Sequence, residues 1–197
     1  YPDNAERFAF FSKAALSFIK KIGWEPHIIQ GSDWQSALAI AYIKTIYKND
    51  PFFAPVATVY SIHNMGYMGL FPKEKMPVTG LSWDYFKIDG LEFYDNVSFA
   101  KAGIVYADVI NTVSVTYAKE IQTPEFGHGL EGLMRKRSKD IFGIMNGIDY
   151  DIWNPDTDPQ ISNNYNLKDL KGKANDKLAL QKRHGLENKN DIPIIGM

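Results

Sequence analysis

The stretch APVATVYSIHNMGYMGLF, residues 54–71, changes character half-way along. Val56, Ala57, Thr58, Val59 and Tyr60 form a run of β-formers with apolar side chains on both faces. That is the composition of a strand covered on both sides in a parallel sheet. The run then breaks into His63, Asn64 and a glycine-spaced aromatic segment, Gly66, Tyr67, Gly69 and Phe71. A strand that merely ends needs a turn, and a turn needs neither an imidazole nor exposed aromatics.

Working outward, the same unit recurs. PHIIQG (26–31) is a short apolar strand, and Asp33 starts a helix with Leu38, Ala41 and Tyr42 on one face. Upstream, DNAERF opens a first helix, with Asp3 as N-cap and Glu6 placed for a capping box. Phe8, Phe11, Ala15, Phe18 and Ile22 follow at three- and four-residue steps, one helical stripe that Gly23 ends. Beyond an irregular aromatic loop, Val97, Ala100, Ile104 and Ala107 mark another helix. It leads into the strand VINTVS (109–114), a helix over 115–122, a short helix in GLEGLMRKRS and the strand IFGIMN (141–146). The turn-rich YDIWNPDTDPQISNNYN is a long surface connection before a charged helix (about 167–184), and a last strand starts at Ile192. Apolar strands alternating with helices predict an α/β, Rossmann-like fold, a mostly parallel sheet with helices on both faces.

Composition narrows the class. The chain has 197 residues, 45% of them hydrophobic, enough for one substantial core. Its net charge of −1 offers no field for nucleic acid or an anionic membrane, and the basic run Arg135–Lys139 is expected to be a solvated helix face. There is no cysteine, which excludes a disulfide scaffold. The four histidines lack short ligand spacing, so no metal site is expected. Tyr1 at the start and DIPIIGM (191–197) at the end, where an apolar strand begins, read as a piece of a longer protein.

Asp33, His63-Asn64, Ser114 and Asn146-Gly147 each lie just past the carboxyl end of a different predicted strand. In doubly wound sheets ligands bind along that edge. Taken singly these residues also suit local roles: Asp33 a helix cap, His63-Asn64 a turn, NGID (146–149) a tight turn. Together they outline one polar rim fed by four strands.

Five blocks in sequence carry a family likeness: YPDNAERFAFFSKAAL, SDWQSALA, SIHNMGYMGLFP, GLEFYDNVSFAKAGIVYADVINTVSVTYAKEIQTPEFGHGLEGLMRKR and IMNGIDYDIWNPDTDP. In this order they resemble the bacterial glycogen synthases and plant starch synthases, over nearly the whole chain. The resemblance implies one half of a two-domain glycosyltransferase with its active site in the cleft between domains. Residues 1–190 would be the later part of the N-terminal, acceptor-side domain, and 191–197 the start of the nucleotide-sugar-binding C-terminal domain. The implied reaction moves glucose from ADP-glucose, with UDP-glucose as second choice, to the non-reducing end of an α-1,4-glucan with retention of configuration. The nucleotide sugar is a substrate and no separate cofactor is implied. The expected setting is bacterial cytoplasm or plastid stroma, without nucleic-acid or membrane partners.

Carried over by position, the resemblance makes His63 the catalytic residue, with Asn64 beside the transferred glucose. Asp33 and Asn146 would contact sugar hydroxyls, and Trp34 and Tyr67 would shape the acceptor region. The family's H-x-H-D-W is altered here, with Gln30 and Ser32 in the histidine positions. Its lysine-glycine-glycine loop and its C-terminal Arg, Lys and Glu for the diphosphate lie outside these residues, so this chain alone is expected to be inactive. A non-catalytic α-glucan-binding module derived from the same domain is the alternative. A glycoside hydrolase needs two facing carboxylates, and among the rim residues only Asp33 is one.

Overall fold

A computed structural model of the chain describes residues 1–196. It contains two compact units, Tyr1–Asn146 and a second from Gly147 onward. In the first unit, α1 (Asn4–Lys21), β1 (Ile28–Ser32), α2 (Asp33–Lys44) and β2 (Ala57–Ile62) come in order. They are followed by β3 (Leu70–Pro72), β4 (Glu92–Phe93), β5 (Asn96–Ser98), α3 (Phe99–Tyr106), β6 (Val109–Thr112), α4 (Val115–Glu120), α5 (Glu131–Lys136) and β7 (Ile141–Gly143). The main sheet has the order β1-β2-β6-β7 and all its pairings are parallel. Its register places Ser32 beside Ser61, and Ile62 beside Thr112, which in turn faces Gly143. All four strands therefore point their carboxyl ends to one edge.

The helices follow burial more than bulk. In α2, every residue from Ala37 to Ile43 is buried, so this helix is core on all sides rather than on one face. The stripe expected on α1 is not the buried one. Ala5, Ala9, Ser12 and Leu16 are buried, while Phe11 is 52%, Phe18 62% and Ile22 55% exposed. Both stripes have helical spacing, and the small one lies against α2 because small side chains let two helix axes approach. The capping box is also absent. Asp3 makes no side-chain cap bond, and Glu6 pairs with Lys75 instead.

Close approach governs α3 as well. A Cβ on Gly103 would lie 2.6 Å from the ring of Tyr60, so glycine there lets α3 sit on β2. The carbonyls of Ile104, Val105 and Ala107 at the end of α3 accept hydrogen bonds from the guanidinium of Arg137 at 2.6, 3.2 and 2.7 Å. Arg137 thus leaves the solvated basic face expected of it and closes a helix end. At this same end of the sheet, where β2 and β6 begin, Asp108 accepts from Thr58 N at 2.7 Å and from Lys44 Nζ at 2.6 Å.

The aromatic loop between β2 and α3 is not irregular: β3, β5 and β4 form a small antiparallel sheet in that order. Its hairpin turns on Tyr94 and Asp95, both left-handed at φ 46° and 63°. Such two-residue turns usually announce themselves as Asn-Gly, which is why this one escapes sequence inspection.

The second unit is mostly turns until α6 (Lys171–Arg183), which Asp176 ties to Asn163 N at 2.8 Å. The strand expected from Ile192 does not form over 192–196, where no described residue pairs with it, and Met197 lies outside the described residues. Among the described residues no helix is long and apolar enough to cross a membrane.

Candidate functional site

Asp33 is the first residue of α2, directly after β1, and its backbone is left-handed at φ 54°. Asp tolerates that region better than most residues, and such strain gathers at functional positions. Its carboxylate also sits at the positive end of the helix dipole. The turn of the chain aims both carboxylate oxygens at the next strand's end. Oδ1 accepts from His63 N at 2.9 Å, and Oδ2 lies 2.9 Å from His63 Nδ1. An ionised carboxylate can only accept, so Nδ1 carries the proton and Nε2 is the outward nitrogen. The imidazole is 54% exposed and Asp33 31% exposed at the side chain. The result is an oriented imidazole on an open rim, backed by a negative charge.

The segment after His63 is held rigidly. Asn64 Oδ1 accepts from Gly66 N at 2.9 Å, which leaves both amide N–H donors of this side chain free among the described residues. Tyr117 of α4 accepts from Met65 N through its hydroxyl at 2.9 Å. Gly69 is left-handed at φ 56°, and a Cβ there would lie 2.5 Å from Trp34 Cε3. Trp34 packs edge-on against Phe8 (4.8 Å) and Phe71 (5.9 Å). Its indole therefore fixes the aromatic loop from below. Tyr67, 68% exposed, and Trp34 line a cavity of about 340 Å³ with Asn4, Gly66 and Met68.

Beneath the rim, polar residues link three strands. Gln30 Nε2 donates to Ser61 Oγ at 2.7 Å, and Ser61 Oγ donates to Asn111 Oδ1 at 2.5 Å. Gln30, in a family histidine position, is thus engaged inside the sheet. Tyr60 lies buried nearby, and burial, with the Asp33 charge adding, pushes its phenol well above the usual range.

The remaining rim positions are more loosely connected. Asn146 is exposed, three residues past β7, on the same edge as His63. Two strand spacings, about 10 Å, separate β7 from β2. Ser114 uses its hydroxyl as the cap of α4, accepting from Tyr117 N at 2.8 Å. The structure thus joins Asp33, His63 and Asn64, brings Trp34 and Tyr67 alongside, and leaves Asn146 and Ser114 further along the edge. Two contributors were not singled out from sequence. Tyr117 is 52 residues from the backbone it holds, with no local signal. His128 is left-handed and lies against Gly66, its imidazole 3.5 Å from where a Cβ would stand; its flanking glycines were the available signal. Among the described residues no group of three His, Cys, Asp or Glu is placed to hold a metal ion.

Known proteins resemble this chain in both sequence and fold. Residues 1–136 match the family of the starch synthase catalytic domain. The glycogen synthase of Syntrophotalea carbinolica is 48% identical over 197 residues, covering 100% of this chain and 41% of that protein. That of Geotalea daltonii is 50% identical over 197 residues, with the same coverage of 100% and 41%. The solved catalytic domain of starch synthase IV from Arabidopsis thaliana, bound to ADP and acarbose, superposes with a TM-score of 0.77 at 35% identity. The match covers 94% of this chain and 38% of that one. The chain spans about two fifths of the length of the curated relatives it matches. With fold and sequence in agreement, this chain belongs to the starch synthase catalytic domain family.

Proposed function

We propose that this chain is the acceptor-side part of an α-1,4-glucan glucosyltransferase that takes glucose from ADP-glucose. The observation that carries the proposal is the two-point grip of Asp33 on His63 at the carboxyl edge of the sheet. Glucosyl transfer passes through an oxocarbenium-like state, with positive charge growing on the sugar as the diphosphate leaves. An imidazole locked with Nδ1–H toward a carboxylate presents the lone pair of Nε2 to that sugar, and the Asp33 charge behind it favours the developing cation. Asp33 then acts as the positioning residue and His63 as the group that meets substrate. Asn64 offers amide donors to a hydroxyl, Tyr67 gives an acceptor glucose a face to stack on, and Asn146 contacts hydroxyls further along the edge.

In the transfer itself the bond from the anomeric carbon to the diphosphate oxygen breaks and a bond to the acceptor O4 forms. The proton of the attacking hydroxyl passes to the departing diphosphate. We infer that the groups stabilising that diphosphate lie in a second domain beyond the acceptor-side residues 1–190, and that 191–197 begin it. The Arabidopsis starch synthase IV domain is bound to ADP and acarbose, which supports an adenine nucleotide sugar as the donor here.

The test is a transfer assay on the complete protein, with labelled ADP-glucose or UDP-glucose and maltotetraose, for wild type and His63→Ala. Wild-type elongation with ADP-glucose preferred, and a drop on the order of 10²-fold in kcat for folded His63→Ala, are expected. Binding of maltotetraose without transfer by the complete protein would instead identify a glucan-binding module. The 197-residue chain alone should bind the oligosaccharide with Kd on the order of millimolar, because half a cleft leaves its contacts competing with water.

A further inference from the structure

The rim has a neighbour that the strands do not supply. Residues 127–129 read Gly-His-Gly between α4 and α5. A Cβ on Gly127 would lie 2.4 Å from Glu131 Cβ and 2.8 Å from Thr123 O. One on Gly129, at φ 87°, would press 3.0 Å from Phe93 Cζ of β4. Each glycine therefore allows a contact that a larger residue would block, one to the chain's own next helix and one to the small sheet. Between them His128 is held at φ 51°, a conformation few non-glycine residues adopt.

This clamping delivers the imidazole to the turn that follows His63. A Cβ on Gly66 would lie 3.5 Å from His128 Nε2, 3.6 Å from Cε1 and 3.1 Å from Asn64 Oδ1. His128 is exposed, so the ring is open to a ligand at that turn. The free hydrogen-bonding capacity of the turn is weighted towards donors. One lone pair of Asn64 Oδ1 is taken by Gly66 N, whereas neither amide N–H of Asn64 has a partner among the described residues, so Asn64 offers more donors than acceptors outward. A sugar hydroxyl accepts from such a donor and also carries a proton of its own to donate. A neutral imidazole nitrogen supplies a further acceptor.

We propose that His128 is a further substrate-contacting residue, its imidazole accepting a hydrogen bond from a hydroxyl of the sugar bound at Asn64. The proposal rests on the glucan-transferase function above and deepens it. The 197-residue chain, labelled with 13C at histidine Cε1, can be titrated with maltotetraose while the four histidine signals are followed. His128→Asn, which keeps a residue tolerant of left-handed backbone, assigns its signal by removing it. The signals of His63 and His128 should shift together and saturate with one apparent Kd, while His27 and His184 stay in place. A shift of His63 without His128 overturns the inference and leaves the proposed function standing. No shift at His63 overturns both. In the complete enzyme, His128→Asn should raise KM for maltotetraose about fivefold with kcat within about twofold, the loss of one neutral hydrogen bond. An unchanged KM in a folded variant would also overturn it.

Discussion

Replacing Gly69 by alanine tests how the aromatic loop is held, because the perturbation separates into two parts. The first is conformational: at φ 56° an added Cβ costs about 1–2 kcal/mol from its approach to the following carbonyl. The second is packing. The Cβ would stand 2.5 Å from Trp34 Cε3 and 2.8 Å from Cδ2, and the indole is wedged between Phe8 and Phe71. Overfilling a packed site costs about 1–3 kcal/mol. The two together destabilise the fold by about 2–5 kcal/mol. Gly23 provides the control, for it is left-handed at φ 68° with nothing within 4 Å of an added Cβ. Gly23→Ala should show the conformational part alone. Urea unfolding followed by circular dichroism gives both values, and Gly69→Ala should exceed Gly23→Ala by at least about 1 kcal/mol, the lower bound of overpacking. A double-mutant cycle with Trp34→Ala should remove most of that excess, since Cε3 and Cδ2 are gone and only Cβ, at 3.0 Å, remains. Equal costs for the two glycine variants, or an excess that survives largely intact without the indole, would refute the view that Trp34 locks this loop.

Other outcomes follow from the same contacts. In the complete enzyme, Asp33→Asn should lower kcat on the order of 10²-fold while leaving the fold intact, because it preserves backbone tolerance but removes the charge that orients His63; steady-state kinetics and circular dichroism check both halves. Arg137→Ala should destabilise the chain by about 1.5–3 kcal/mol in urea unfolding, the range for a hydrogen bond to a charged group, since it strips the carbonyls closing α3. Burial acts to raise the Asp108 carboxyl, but hydrogen bonds from Lys44 and Thr58 outweigh it and hold the group below its usual value. Its stabilisation is therefore complete above the unfolded-state value near about pH 4 and is lost as pH falls through the lower folded-state value. Asp108→Asn should lower stability at neutral pH and flatten the acid end of a stability–pH curve measured by denaturant unfolding.

What the sequence determined by itself is what short-range physics encodes. A run such as Val56–Tyr60 is apolar on both faces, the composition of a covered parallel strand, and the polar residues that follow such strands share one edge. Asp33, His63 and Asn64 were legible for that reason, and the family blocks around them made the rim specific. Tertiary structure decided everything that depends on which surfaces meet. The phenylalanine stripe on α1 and the Ala5–Leu16 stripe have the same period, and only the close approach of α2 selected the smaller. Tyr94-Asp95 makes a tight hairpin without the usual turn residues because flanking strands impose it. That both oxygens of Asp33 go to His63, that Tyr117 holds Met65, and that His128 reaches Gly66 are contacts across 30, 52 and 62 residues. No local pattern records them, because the free energy that pairs such groups is gained only after the sheet and its helices have brought the loops together.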